Sequence, residues 1–65
     1  MNTTVKVYVN DKFYRNIIVK GNVVDGKTMY DPRLITNQIF LDKEAGLLNT
    51  YVKPDGKMTI RMEQV

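Results

Sequence analysis

The chain has 65 residues, of which 43% are hydrophobic and 26% are charged, and its formal net charge is +3. It contains no cysteine, histidine or serine, which excludes disulfides, the commonest zinc ligand and the usual nucleophile–base pairs of hydrolases. This length predicts one small domain covering residues 1–65, with a marginal core that we expect to be supplemented by assembly into a homodimer or higher homo-oligomer.

The N-terminal part of the chain predicts a β-hairpin, because apolar and polar residues alternate along both of its halves. A two-residue turn at Asn10–Asp11 would put the apolar residues of the two strands on opposite faces. A loop one residue longer instead pairs Tyr8 with Tyr14 and Val9 with Phe13. We prefer this second register, since a slip of one residue exchanges every side chain between the two faces.

The next segment predicts a second hairpin, because Asp25 and Gly26 stand between two extended runs and both tolerate positive φ. Residues 21–28 also match G-x-x-x-x-G-K-[ST], the pattern of phosphate-binding loops. In such a loop the lysine and threonine open a helix, and Pro32 would interrupt a helix that began here. We therefore expect a hairpin with a bend at Gly21, and no nucleotide site.

Residues 31–46 allow two interpretations. Asp31 and Pro32 have the pattern of an N-cap followed by proline at the first helical position. The preferred interpretation is a short helical turn after Pro32 and then a strand at 38–42, where Ile-Phe-Leu favours extended structure. The alternative is one helix over 32–44 that ends before Gly46.

A third hairpin is predicted at the C-terminal end of the chain. The tetrapeptide Lys53-Pro54-Asp55-Gly56 fits a type I turn, because proline presets φ at the second position and glycine accepts the left-handed conformation that follows. In this hairpin Val52 faces Met58, and Lys53 faces Lys57. Two lysines opposite each other are unfavourable unless an anion lies nearby.

The predicted fold class is therefore mainly β: a small antiparallel sheet or barrel of five or six strands built from hairpins, with or without one short helix after Pro32. The alternative is an α+β fold with the order ββαββ. The apolar positions of the predicted strands give the expected core: Val5, Val7, Val9, Ile17, Val19, Leu48, Val52, Ile60 and Met62.

The opposite face of these strands carries tyrosines flanked by lysine and arginine. Aromatic rings stack on the bases of single-stranded nucleic acid, and basic groups neutralise its phosphates. The candidate nucleic-acid-binding residues are Lys6, Tyr8, Tyr14, Lys20, Tyr51, Lys53, Lys57 and Arg61.

The sequence thus favours a non-catalytic binding protein with single-stranded nucleic acid as the leading ligand. A protein-interaction module, a small inhibitor or an assembly subunit is the alternative, because tyrosine and methionine are enriched at protein interfaces. Most aspartates fall in predicted turns or at a cap, so we expect no metal, no cofactor and no enzymatic activity. Neither a bilayer-spanning apolar run nor a signal-peptide pattern is present, which predicts a cytoplasmic protein that does not enter a membrane.

Overall fold

The structure, a computed structural model, describes all residues from 1 to 65. Five strands and one helix follow in the order β1 (Asn2–Val9), β2 (Lys12–Lys20), β3 (Asn22–Val24), β4 (Lys27–Met29), α1 (Pro32–Glu44) and β5 (Ile60–Gln64). A three-stranded antiparallel sheet has the order β2-β1-β5, and β3 and β4 form a second sheet by themselves. The predicted mainly β fold of five or six antiparallel strands is confirmed, with five strands and one helix, but both sheets are open and no barrel is formed.

The first hairpin combines features of both predicted registers. Its turn is the two-residue Asn10–Asp11, where φ is 50° and 66°, values that match the twist of a hairpin. A bulge then leaves Tyr14 without a partner on β1, and beyond it the strands have the register predicted for the longer loop. The predicted pairs of Tyr8 with Tyr14 and of Val9 with Phe13 are wrong, because Phe13 lies opposite Tyr8.

The second hairpin is confirmed. Asp25 and Gly26 have φ of 51° and 76° and connect β3 to β4. Lys27 and Thr28 lie within β4, so the residues that match the phosphate-loop pattern do not open a helix. Gly21 separates β2 from β3 as the predicted bend, and a Cβ there would come within 2.7 Å of the Thr28 Cγ2 atom, so the close approach requires glycine.

Helix α1 has the boundaries of the alternative interpretation, and the preferred strand at 38–42 is wrong. The Asp31 side chain caps the helix by accepting a hydrogen bond of 3.0 Å from the Arg33 amide. Proline fits the first helical position, because an amide N–H there would have no partner within the helix. Gly46 follows the last turn with a φ of 81°.

Burial explains why the helix forms despite residues with modest helix propensity. Ile35 and Ile39 lie one turn apart on the same side of α1, and both are 0% exposed. A strand at 38–42 would separate them, whereas the helix brings both into the core, so tertiary packing overrides local preference. At 13 residues, the helix is too short and too polar to cross a membrane.

The predicted C-terminal hairpin is wrong, although its turn is present. Gly56 donates a backbone hydrogen bond of 2.8 Å to Lys53, but residues 45–59 contain turns and no strand. Strand β5 pairs with β1 instead, so Met62 lies opposite Val7 and not within the predicted hairpin. The first hairpin leaves the second edge of β1 unpaired beside its buried valines, and β5 forms its hydrogen bonds with that edge.

The core lies between the three-stranded sheet and α1. Five predicted core residues are buried there, and the other four pack partly buried against them. The helix contributes two residues that the strand prediction did not place. The buried apolar set is Val5, Val7, Val9, Ile17, Ile35, Ile39 and Leu48.

Candidate nucleic-acid interface

The three-stranded sheet has a covered face and an open face. On the covered face, Val5, Val7 and Val9 are fully buried against α1 and the segment 45–59. Successive strand side chains point to opposite sides, so the residues between these valines lie on the other side of the sheet. Together with their cross-strand neighbours they form the open face: Asn2, Thr4, Lys6, Tyr8, Phe13, Asn16, Ile18, Lys20, Arg61 and Glu63.

An aromatic pair lies at one end of the open face. The ring centroids of Tyr8 and Phe13 are 5.8 Å apart, and the rings meet edge to face at 74°. Such a pair contributes about 0.5–1.5 kcal/mol beyond its buried area. Phe13 nevertheless remains 49% exposed, so one large aromatic ring on this face is accessible to a ligand.

Arg61 covers part of the Tyr8 ring. Its guanidinium carbon lies 4.1 Å from the ring centroid, in the geometry of a cation–π contact. Arg61 also pairs with Glu63 at 2.6 Å, and the Tyr8 hydroxyl donates a weak hydrogen bond of 3.4 Å to the same carboxylate. Glu63 therefore holds the arginine over the ring, and both charged side chains remain about half exposed.

Four of the predicted site residues share the open face. Lys6 and Tyr8 are on β1, Lys20 is at the end of β2, and Arg61 lies directly opposite Tyr8 on β5. All three cations are exposed. The sequence pattern therefore brought together half of the expected binding set.

The other four predicted residues lie elsewhere. Tyr14 and Tyr51 are on the covered face, where their ring centroids are 5.2 Å apart and both pack against the core. Lys53 and Lys57 flank the turn in segment 45–59 and belong to no strand. The expected surface of three tyrosines is therefore not formed, because the bulge and the missing C-terminal hairpin direct two of them to the helix side.

Tyr14 is held there by a buried carboxylate. Asp42 of α1 is 4% exposed and accepts hydrogen bonds from the Tyr14 hydroxyl at 2.8 Å and from Arg15 Nη1 at 3.1 Å. Gln38 donates a third, of 2.9 Å, to its other oxygen. The bulge places Tyr14 and Arg15, which are consecutive in the chain, within reach of one acceptor. This network fastens α1 to β2.

The network shifts two pKa values in opposite directions. Burial alone would raise the pKa of Asp42, but the hydrogen bonds from Tyr14, Gln38 and Arg15 outweigh it and lower that pKa. Burial raises the pKa of the Tyr14 hydroxyl, and the neighbouring Asp42 carboxylate raises it further. Both shifts favour the observed state, with an ionised carboxylate and a neutral phenol.

The sequence prediction missed Phe13 and Ile18 as members of the open face. A signal for Phe13 was present, because a two-residue turn at Asn10–Asp11 sets residues 8 and 13 opposite each other. For Ile18 the signal was its neighbour Ile17: of two consecutive strand residues, one must point away from the core. Ile18 is 67% exposed.

Comparisons of the chain with models of protein families, with curated proteins and with solved structures gave no match. The structure contains no enclosed pocket, and no three acidic side chains are grouped to hold a metal ion. On the open face, an exposed aromatic ring and exposed basic side chains lie on the same side of one sheet.

Proposed function

We propose that this protein is a non-catalytic binding protein that holds single-stranded nucleic acid on the open face. One observation supports the proposal above all: Tyr8 and Phe13 are in ring contact on the side of the sheet opposite α1, and Phe13 is 49% exposed. Bases stack on such rings with about 1–3 kcal/mol each, whatever their sequence. A sheet carrying aromatic side chains is one of the common platforms for unpaired bases.

The charges of the same face favour a polyanion. Lys6, Lys20 and Arg61 provide three exposed cations against the single carboxylate of Glu63. Lysine and arginine beside a stacking platform neutralise the phosphates that follow the stacked bases. The arrangement thus offers one base-stacking position with Arg61 beside it and with Lys6 and Lys20 farther along the same face.

Arg61 is available to a phosphate although it is paired in the free protein. Its ion pair with Glu63 is exposed, and exposed pairs contribute only about 0–1 kcal/mol. A phosphate accepts two parallel hydrogen bonds from a guanidinium, which is a stronger interaction. We therefore propose that the nucleic acid displaces Glu63 from Arg61 while the guanidinium stays above Tyr8.

Fluorescence anisotropy with labelled oligonucleotides tests the proposal. Single-stranded oligonucleotides should bind more tightly than duplexes, because stacking requires unpaired bases. Contacts to three phosphates predict a slope of log K against log salt of about −2 for a single strand. Absence of binding at low salt, or a preference for duplex, would contradict the proposal.

A matched pair of lysine variants locates the binding face. Lys6→Ala should weaken binding and make the salt slope shallower by about 0.7, the value for one phosphate contact. Lys53→Ala removes the same charge from the turn in segment 45–59 and should leave the slope unchanged. Equal effects of both variants would show that binding depends on overall charge rather than on the open face.

A protein-interaction module is the second candidate, and exposed apolar side chains favour it. Leu34, Phe40 and Leu41 of α1 are 45%, 55% and 60% exposed. A partner bound there would depend little on salt, in contrast to nucleic acid. For either candidate we propose the cytoplasm as the location. The chain has no cysteine, so its fold does not depend on the disulfide bonds that form in an oxidising compartment.

A further inference from the structure

Strand β2 has a free edge whose hydrogen-bonding groups can be assigned. It pairs with β1 on one side and with no strand on the other. The Gly21 amide donates to the Met1 carbonyl at 2.7 Å, so the residues opposite each other at this point are a hydrogen-bonded pair. Antiparallel pairs alternate between bonded and non-bonded. Asn16, Ile18 and Lys20 therefore direct their N–H and C=O groups away from β1, to the free edge.

We propose that β2 of a second copy of this chain pairs antiparallel with this edge, in a register centred on Ile18. The two three-stranded sheets then join into one sheet of six strands with a two-fold axis through the Ile18 pair. Both open faces lie on the same side of that sheet, and each copy contributes residues to one nucleic-acid surface. The identity of the ligand rests on the proposed function, whereas the pairing does not.

The side chains of β2 are self-complementary in this register. Ile18 lies opposite Ile18 of the second copy, Ile17 lies opposite Val19, and Lys20 lies opposite Asn16. Apolar residues thus face apolar residues, and no two like charges are directly opposed. A register centred on Ile17 would instead set Val19 against Arg15.

Features of the N-terminal half of β2 limit the pairing to its C-terminal half. The bulge at Tyr14 bends the strand, and Lys12 and Arg15 carry charges on either side of the bulge. Bulges and charged side chains both protect sheet edges from further pairing. The remaining edge of the sheet, β5, is short and presents Arg61 and Glu63. Pairing through β2 therefore closes as a dimer and does not continue into a fibre.

Pairing would also explain the exposure of Ile18 and enlarge the site. Ile18 is 67% exposed in the single chain, and its counterpart in the second copy would cover it. Each Phe13 lies about four strand steps from the axis at Ile18, because the bulged Tyr14 adds no length. At about 3.3 Å per step, the two Phe13 rings would lie about 26 Å apart along one face, with Lys20 of each copy between them. One strand of nucleic acid long enough to reach both rings would bind to two copies at once.

Cysteine substitution tests the register directly, because the chain has no cysteine of its own. Hydrogen-bonded strand neighbours have Cα atoms about 5.5 Å apart, but their Cβ atoms are farther apart than a relaxed disulfide needs, so a short bis-maleimide is used to join the two thiols. Ile18→Cys should therefore be cross-linked to a covalent dimer. Val24→Cys, at a position 52% exposed on the other sheet, is the matched control and should stay largely monomeric. Equal cross-linking of the two variants, or none of Ile18→Cys, would overturn the proposed register.

Sedimentation equilibrium tests the dimer itself. The wild type and Val24→Lys should dimerise with rising concentration. Ile18→Lys should be monomeric, because two lysines would face each other at the two-fold axis. Its circular-dichroism spectrum should match that of the wild type. A monomeric wild type at about 0.5 mM, roughly 500-fold above a micromolar dissociation constant, would overturn the dimer.

Titration with oligonucleotides of about 6 and about 20 nucleotides separates the proposed dimer from the proposed function. In the wild type, the longer strand should bind more tightly than the shorter one only at protein concentrations at which the protein is dimeric, and the same advantage at concentrations at which it is monomeric would contradict a joined surface. Failure of both strands to bind a dimeric wild type would overturn the proposed function alone.

Discussion

The hydroxyl of Tyr14 donates a 2.8 Å hydrogen bond to the buried carboxylate of Asp42. This contact joins β2 to α1 on the covered face, where the bulge in β2 places the tyrosine. Without the bulge at Tyr14, strand alternation would put its neighbour Phe13 on the covered face and Tyr14 on the open face. One inserted residue thus gives the core a polar anchor and gives the open face an exposed phenylalanine.

Removal of the Tyr14 hydroxyl tests this anchor. Tyr14→Phe should lower the free energy of unfolding by about 1–3 kcal/mol, because a buried carboxylate loses one of its donors. Tyr8→Phe is the matched control, since its hydroxyl makes only an exposed contact of 3.4 Å, and it should change stability by less than about 0.5 kcal/mol. Urea denaturation at neutral pH and fixed protein concentration measures both. Equal effects would show that the anchor is not a specific feature of Tyr14.

The lowered pKa of Asp42 predicts a loss of stability in acid. A carboxyl whose pKa is lower in the folded protein stabilises it fully above the unfolded value of about 3.9 and ceases to do so as the pH falls through the folded value. Asp42→Asn should therefore be less stable at neutral pH but lose less stability between about pH 5 and pH 2. The pKa of Asp31 is also lowered, by its bonds to Arg33, but this effect is common to both proteins and cancels in the comparison. Parallel curves of stability against pH would contradict the prediction.

Asn10 is expected to hold the segment 45–59 against the first hairpin. Its side-chain amide donates to the Tyr51 carbonyl at 2.7 Å, and its side-chain oxygen accepts from the Thr59 amide at 3.0 Å. Asn10→Gly tolerates the positive φ at this position but deletes both contacts, so it should cost about 1–3 kcal/mol of stability and speed hydrogen exchange of the Thr59 amide. Asn10→Asp retains the acceptor and should preserve slow exchange at Thr59. Slow exchange in both variants would show that the segment is held by other contacts.

Glu63 is predicted to weaken nucleic-acid binding by competing for Arg61. Glu63→Gln should tighten single-strand binding several-fold, because it frees the guanidinium and removes a negative charge from the open face. Glu44→Gln makes the same change in charge at the end of α1 and serves as the control. Anisotropy titrations at one salt concentration compare them. An equal gain in both variants would assign the effect to net charge.

The sequence predicted the elements that depend on local chemistry. Asp25–Gly26 formed its hairpin and Lys53–Gly56 its turn, since both depend on φ preferences that a few residues determine. The alternation of Val5, Val7 and Val9 likewise identified the buried side of β1. These features need no knowledge of which strands meet.

The sequence could not predict features that depend on distant partners. Whether Ile35 and Ile39 lie in a helix is decided by the sheet against which they pack, and local propensity indicated otherwise. The pairing of β5 with β1 leaves segment 45–59 without a strand, which no local pattern showed. For the same reason the pattern identified Lys6 and Arg61 as surface cations but assigned Tyr14 and Tyr51 to the wrong side.

The central claim is that nucleic acid stacks on the open face, and Phe13 tests it most directly. The chain has two phenylalanines, and both are about half exposed: Phe13 on the open face and Phe40 on the outer side of α1. Single-strand anisotropy titrations of Phe13→Ala and Phe40→Ala, at equal salt, compare rings that differ only in location. Loss of stacking should weaken binding of Phe13→Ala by about 1–3 kcal/mol, roughly 5- to 150-fold, and leave Phe40→Ala at the affinity of the wild type. Unchanged binding by Phe13→Ala, or an equal loss in both variants, would contradict the claim.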